Sequence, residues 1–336
     1  MTTWSRPAAL LAASLVATAL AVPAIAAPVD PTTDITVGTP QELAKALANA
    51  KPGATITLAP GAYEGEFVIT AAGSAAAPIT LTGPREAVLS NGGGYGLHLN
   101  GAAHWRLNGF SVRRSAKGVV LDRSHHVVLD GLHLSTVDEE AVHFRTSSSD
   151  NVIRRSTIRD TGRGKPQFGE GIYFGSAKSN WKKFGENGGK GPDRSDRNQA
   201  LENTIGPGVT AEHVDVKEGT AGGVIRGNSF DGHGISGQNY ADSWVDVKGD
   251  GYLVEGNRGT FDGSGALVDG YQTHTVVDGT GCGTVFRAND SDLGGAKGWA
   301  INVTNQNKCA KPAVVHSDNK VRNAGRGLTN IEVGAP

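Results

Sequence analysis

The sequence is 336 residues long and carries 32 Lys and Arg against 33 Asp and Glu, so no global basic field marks a nucleic-acid binder. Glycine supplies 48 residues, aromatics only 6% and Met a single position, a composition that excludes a helical bundle and fits a turn-rich chain. No Pro/Ser-rich linker divides the chain internally, so one main domain is expected.

Residues 1–26 stand apart. Arg6 is their only charge, an apolar run extends from Ala8 to Val22, and Ala24-Ile25-Ala26 supplies a small-x-small cleavage pattern. This reads as a secretory signal peptide and predicts a secreted, extracellular protein. Ser14, Thr18 and Pro23 leave the run short for a stable membrane anchor. Residues 27–38 read as a flexible leader, and 39–336 as a single domain. The two cysteines, Cys282 and Cys309, are expected to pair in an oxidising compartment and clip a late loop.

A short helix is predicted to open the domain. Thr39 is a candidate N-cap, Pro40 occupies the first helical position, and Glu42 lies where it can reach back to the cap amide. Leu43 and Leu47 share one face, and Lys51-Pro52-Gly53 ends the helix. Short β-type runs follow at 54–58, 67–69 and 79–81, separated by turn residues. From residue 95 onward the same unit recurs, often with an Asn in its turn. Asn228, Asn257, Asn289 and Asn319 lie 29, 32 and 30 residues apart.

A helix-free repeat of this length, holding two or three short strands, is the signature of a solenoid of stacked coils. The whole-chain pattern, with its helical cap and Pro60-Gly61-Ala62-Tyr63, resembles right-handed parallel β-helix proteins of the pectate-lyase type. The expected fold is therefore all-β, a right-handed parallel β-helix with a short N-terminal capping helix.

Parallel coils lie about 4.8 Å apart and superpose equivalent positions, so strands can be aligned by their inward residues. The aligned strands are 97–100, 119–122, 142–145, 172–175, 214–217, 245–248 and 268–271. First and third residues then point inward, second and fourth outward. One outward column reads His98, Val120, His143, Tyr173, Asp215, Asp246, Asp269. The other reads Asn100, Asp122, Arg145, Gly175, Lys217, Lys248, Tyr271. Stacked carboxylates repel unless a cation intervenes, so this face is a candidate site. The repeat is interrupted at 176–200, where an excess of Lys and Arg surrounds Trp181, a candidate sugar-stacking wall for an acidic polymer. Trp244 and His274 are expected to flank the same face.

β-Elimination of a uronic-acid polymer needs neutralisation of the substrate carboxylate and a base for the adjacent proton. Ca²⁺ held by carboxylates would supply the first, and a lysine the second. The stretch Glu212-His213-Val214-Asp215-Val216-Lys217, followed by Ile225-Arg226-Gly227-Asn228-Ser229-Phe230, is similar to the chondroitinase B/alginate lyase family. That resemblance implies Lys217 as base, Lys248 as its partner and Glu212 as a calcium ligand. Asp215, Asp246 and Asp269 would complete the metal set. Substrate contacts are expected from His143, Arg145, Tyr173, Trp181, Trp244, Tyr271 and His274. The family's second metal-binding Glu falls on Thr210 here, and its Arg partner is Lys.

The expected function is thus a secreted, monomeric polysaccharide lyase cleaving an acidic polymer by β-elimination. A glycoside hydrolase using the Asp column remains an alternative, since Asp215 and Asp269 would stand about 9.6 Å apart, within the range for inversion. A uronate epimerase and a non-catalytic glycan-binding envelope protein are further alternatives.

Overall fold

The computed structural model describes residues 34–304 and 306–336, together with the first two residues; the signal peptide expected over 1–26 lies outside them apart from those two. The chain from Thr32 onward forms one compact unit. Strand pairings among the described residues are parallel throughout. They build a parallel β-helix, with one face a twelve-stranded sheet running from Asp34–Val37 to Val333–Gly334. Crossover connections between parallel strands adopt the right-handed sense.

Residues 34–37, assigned by sequence to the flexible leader, instead form a strand paired with Thr55–Leu58, because Val37 joins the core. The helix Pro40–Asn49 follows with the expected capping box. Thr39 Oγ1 accepts from the Glu42 amide at 3.2 Å, and Glu42 Oε2 accepts from the Thr39 amide at 3.1 Å. Leu43, Ala46 and Leu47 are buried against the first strands, so the helix covers an end of the solenoid that would otherwise expose apolar side chains.

Inside the coils, apolar positions stack on their equivalents. Phe144 lies over Phe174 with ring centroids 5.2 Å apart, and Val216 pairs with Val247. At one turn the stack is polar. Asn257 Oδ1 accepts from both the backbone amide and Nδ2 of Asn228 at 2.9 Å, and Asn257 in turn donates twice to Asn289. This ladder satisfies turn amides that burial would otherwise orphan. Cys282 and Cys309 are disulfide-bonded with Cα atoms 5.5 Å apart.

One stretch departs from the sequence register. Tyr271 pairs with Val245 and Gln272 with Asp246, so the strand Asp269–Thr273 is displaced by three residues from the expected alignment. Tyr271 therefore points inward and is fully buried, and Asp269 lies beside Ser243, not above Asp246. Trp244, expected outside, is also fully buried. The reason is volume. Gly259 occupies the core position beside Phe230, and a Cβ there would come 2.2 Å from the Trp244 ring. The indole fills the space that glycine leaves, with its centroid 5.9 Å from that of Tyr271.

Candidate active site

The strands Val142–Arg145, Ile172–Phe174, Val214–Val216, Ser243–Val247, Asp269–Thr273 and Trp299–Val303 form the floor of a cleft of about 1070 Å³. Because they run parallel, segments preceding each strand make one wall and segments following it the other. The first wall includes Phe168, Tyr240, Asp242 and Val268; the second includes Lys183, Phe184, His274 and Val276.

The outward column stacks as read from the sequence through four coils. His143 pairs with Tyr173, Tyr173 with Asp215, and Asp215 with Asp246. Lysines tie the carboxylates together. Lys217 Nζ lies 2.6 Å from Asp215, while Lys248 Nζ bridges Asp215 at 2.9 Å and Asp246 at 2.5 Å. His274 Nδ1 completes the row, 2.8 Å from Asp246. Burial opposes the charge on Lys217, but Asp215, Glu212 and Glu170 outweigh it and raise its proton affinity. Lys248 is raised for the same reasons, burial being overcome by Asp215 and Asp246. Both are firm ammonium ions as the chain stands. Burial raises the His274 ring's cost of charging, yet the Asp246 hydrogen bond carries its pKa above the ordinary value.

Tyr173 sits among these charges. Lys217 Nζ lies 5.0 Å from its ring centroid, and the His143 ring lies 4.3 Å away on the other side. Burial, then Asp215 and Glu170, push the phenol's pKa well above its usual range. His143 meets an acceptor at each nitrogen, Glu140 at 2.6 Å and the Gly175 carbonyl at 2.8 Å. Burial opposes the charge on Glu140, but His143 and Lys117 overcome it and lower its pKa to about 2, so Glu140 is ionised. Lys117 also pairs with Glu139.

Sequence reasoning named Glu212 but missed the second acidic column to which it belongs. Glu140, Glu170 and Glu212 each stand two residues before the first inward residue of a floor strand, Val142, Ile172 and Val214. Glu170, Glu212 and Asp215 can bring one oxygen each within 4.8 Å of one another. Among the described residues, Glu170 and Glu212 form no ion pair and accept no side-chain hydrogen bond, although both are buried. Burial first, then Glu140 and Asp215, push Glu170 up to about 8; burial and Asp215 likewise raise Glu212. Desolvation without a cationic partner favours the neutral acid.

The structure gathers His143, Arg145, Tyr173, Glu212, Asp215, Lys217, Asp246, Lys248, Asp269 and His274 along this cleft. Arg145 is held by Asp122 through Nε at 2.8 Å and Nη2 at 3.1 Å, and its guanidinium faces Phe184 at 4.3 Å. Asp269 accepts from Gln272, Asn302 and the Trp299 amide, which hold it within the wall. Trp244 and Tyr271 are core residues. Trp181 donates to the Ser176 carbonyl at 2.9 Å and packs beside Gly219, so Phe184 and not Trp181 faces the cleft. No helix among the described residues is long and apolar enough to cross a membrane.

No protein-family model and no curated protein matches the chain. Among solved structures, it is similar to the alginate lyase from Paenibacillus sp. str. FPU-7, with 39% identity, 90% of this chain and 99% of that chain covered, and a TM-score of 0.82. Pectate lyase Pel9A, at 13% identity over 87% of this chain and 80% of its own with a TM-score of 0.58, shares the fold. So does the Yersinia enterocolitica Family 28 exopolygalacturonase, at 12% identity over 89% of this chain and 64% of its own with a TM-score of 0.56. Identity of this extent over nearly the whole Paenibacillus enzyme, on a cleft lined with paired lysines and carboxyls, makes this chain a member of the same family, the parallel β-helix lyases of uronic-acid polysaccharides.

Proposed function

We propose that the chain cleaves alginate, or a closely similar polyuronate, by β-elimination, with Tyr173 and Lys217 as the proton-transfer pair. The observation that carries this reading is the Lys217 ammonium 5.0 Å from the Tyr173 ring, on the cleft floor. The resemblance in sequence implied Lys217 alone as base. Its carboxylate neighbours make it a poor one, and burial makes Tyr173 a poor one too. Two such groups titrate as a unit. When the pair has lost one proton, phenolate with ammonium and phenol with amine are two forms of one state, and that state is the base. It takes the proton at C5 of the uronate. The C4–O bond then breaks, the C4–C5 double bond forms, and the pair returns a proton to the leaving oxygen. Proton balance over the step is zero.

Nine carboxyl-bearing residues line the cleft against five lysines and arginines, a surface that would repel a polyanion if all were free and ionised. Asp215, Asp246, Glu139 and Glu140 are neutralised by ion pairs. Glu170 and Glu212, driven toward the neutral acid, are hydrogen-bond donors for the substrate carboxylate. Lys248 adds positive charge beside them, and this lowers the cost of the enolate-like intermediate.

Calcium was expected from the resemblance in sequence, with Glu212, Asp215, Asp246 and Asp269 as ligands. The donor set does not fit it. Both Asp215 oxygens accept from ammonium groups, Asp246 is held by Lys248 and His274, and Asp269 is held by amides. Two unpaired carboxyls fall short of the six to eight oxygens Ca²⁺ takes. No step is assigned to a metal.

The same reading holds the protein to be secreted. It rests on the apolar run and cleavage pattern of residues 1–26 and on the disulfide, which suits an oxidising compartment. The test is incubation with alginate, pectate and glucuronan, following ultraviolet absorbance of the unsaturated product. Alginate turnover supports the reading. New reducing ends without absorbance would mean hydrolysis and overturn it.

A further inference from the structure

Large apolar side chains exposed among the described residues number eight, and four of them, Phe168, Tyr240, Val268 and Val276, line the one cleft. Scattered exposed apolar residues need no explanation, whereas their concentration on the rim of a polar groove marks a binding surface.

Phe168 and Tyr240 belong together. Phe168 ends the turn Pro166–Phe168 before the strand Ile172–Phe174, and Tyr240 ends the turn Gln238–Tyr240 before Ser243–Val247. The two turns are in contact, with Asn239 Nδ2 3.5 Å from the Gln167 carbonyl oxygen. Between their coils runs the coil that carries Glu212 and Lys217. Val268 continues the wall, its amide donating to the Asp242 carbonyl at 2.7 Å. The aromatic pair thus stands beside the reacting groups on the wall that precedes the strands. The opposite wall offers Ser179, Asn180 and Lys183.

Tyr240 is 89% exposed, and its backbone lies in the left-handed region at φ 64°, directly after Asn239 at φ 56°. A bulky residue there is strained, and such strain collects at ligand clamps. Packing does not repay it, since the ring is left in solvent.

We propose that Phe168 and Tyr240 form a platform on which the apolar C–H face of a uronate ring stacks, next to the bond being cleaved. The polymer's carboxylates then turn toward the Lys183 wall and the cleft floor. This subsite deepens the lyase reading and rests on it. It selects for pyranose chains with an open C–H face, and it fixes the rotation of the chain about its axis, which presents the C5 proton to Tyr173 and Lys217.

The test compares Tyr240→Ala, Phe168→Ala, the double variant and Tyr240→Trp on a uronate polymer. Each alanine variant is expected to raise KM about three- to tenfold with kcat nearly unchanged, the double variant more, and Tyr240→Trp to retain affinity. Melting temperatures of the Tyr240 variants should match the parent, because the ring packs on nothing. Unchanged KM in the double variant, with the parent active, would overturn the platform alone. A parent that yields no unsaturated product from any polyuronate would instead sink the lyase reading. Self-association of the parent that Tyr240→Ala abolishes would reassign the patch to contact between copies and also overturn the proposal.

Discussion

The ammonium of Lys217 and the ring of Tyr173 face each other at 5.0 Å across one coil step, held from below by Asp215. Each group alone is badly matched to proton abstraction, and the match is a property of the two together.

Tyr173→Phe and Lys217→Met are therefore each expected to lower kcat by about 10²–10⁴-fold. Because the residues act as a unit, the double variant should be no worse than the more damaging single one. Initial rates of absorbance increase measure this, with circular dichroism to show that the coils persist. Additive losses would show that the two residues act independently.

Glu170 sets the pH dependence. Its folded pKa, about 8, stands above the ordinary 4.5, with Glu140, Asp215 and Lys217 as its charged neighbours. Between those values the folded state binds the extra proton, so stability falls as pH rises through that window. Glu170→Gln should melt higher than the parent above pH ~8 and show little advantage below pH ~4. If the neutral acid serves substrate binding, activity should decline on the alkaline side near 8, and Glu170→Gln should flatten that limb. An identical alkaline limb in the variant would remove Glu170 from the reaction.

A chelator of divalent cations should leave turnover of a soluble polyuronate nearly unchanged, because the cleft meets the substrate's charge with lysines and neutral acids. Abolition by chelator with recovery on calcium alone would overturn the reading of the donor set.

Asn257→Ala should cost stability. It strips the acceptor from the Asn228 amide and side chain together, and leaving a buried donor unsatisfied costs about 1–3 kcal/mol. The shift in denaturant midpoint reads this directly.

Much of this fold was legible because a solenoid repeats its instructions. The Asn spacing marked the ladder, the cap residues marked the helix, and alternation placed Tyr173, Asp215 and Asp246 in one column. The rest was hidden for two reasons. Period-two alternation fixes which residues of one strand share a face, but not which face that is when a turn changes length and shifts the offset between coils. The turn before Asp269–Thr273 did so, sending Tyr271 inward and removing Asp269 from the column. Nor does a strand pattern reveal that Gly259 leaves room for an indole, a fact of volume shared between distant residues. The glutamates 140, 170 and 212 had a signal that alignment of strands alone overlooked. They repeat two residues upstream of each strand, in the turn, where no alternation draws attention to them.

The parallel stacking has an evolutionary corollary. Each floor strand pairs only with the strands of the coils before and after it, and the Tyr173, Lys217 and Lys248 coils lie inside the stack with others at both ends. Length can therefore change by whole coils toward either end without moving one reacting atom relative to another. In such a molecule the reach of the groove along its polymer is inherited in discrete steps, separately from the chemistry at its middle.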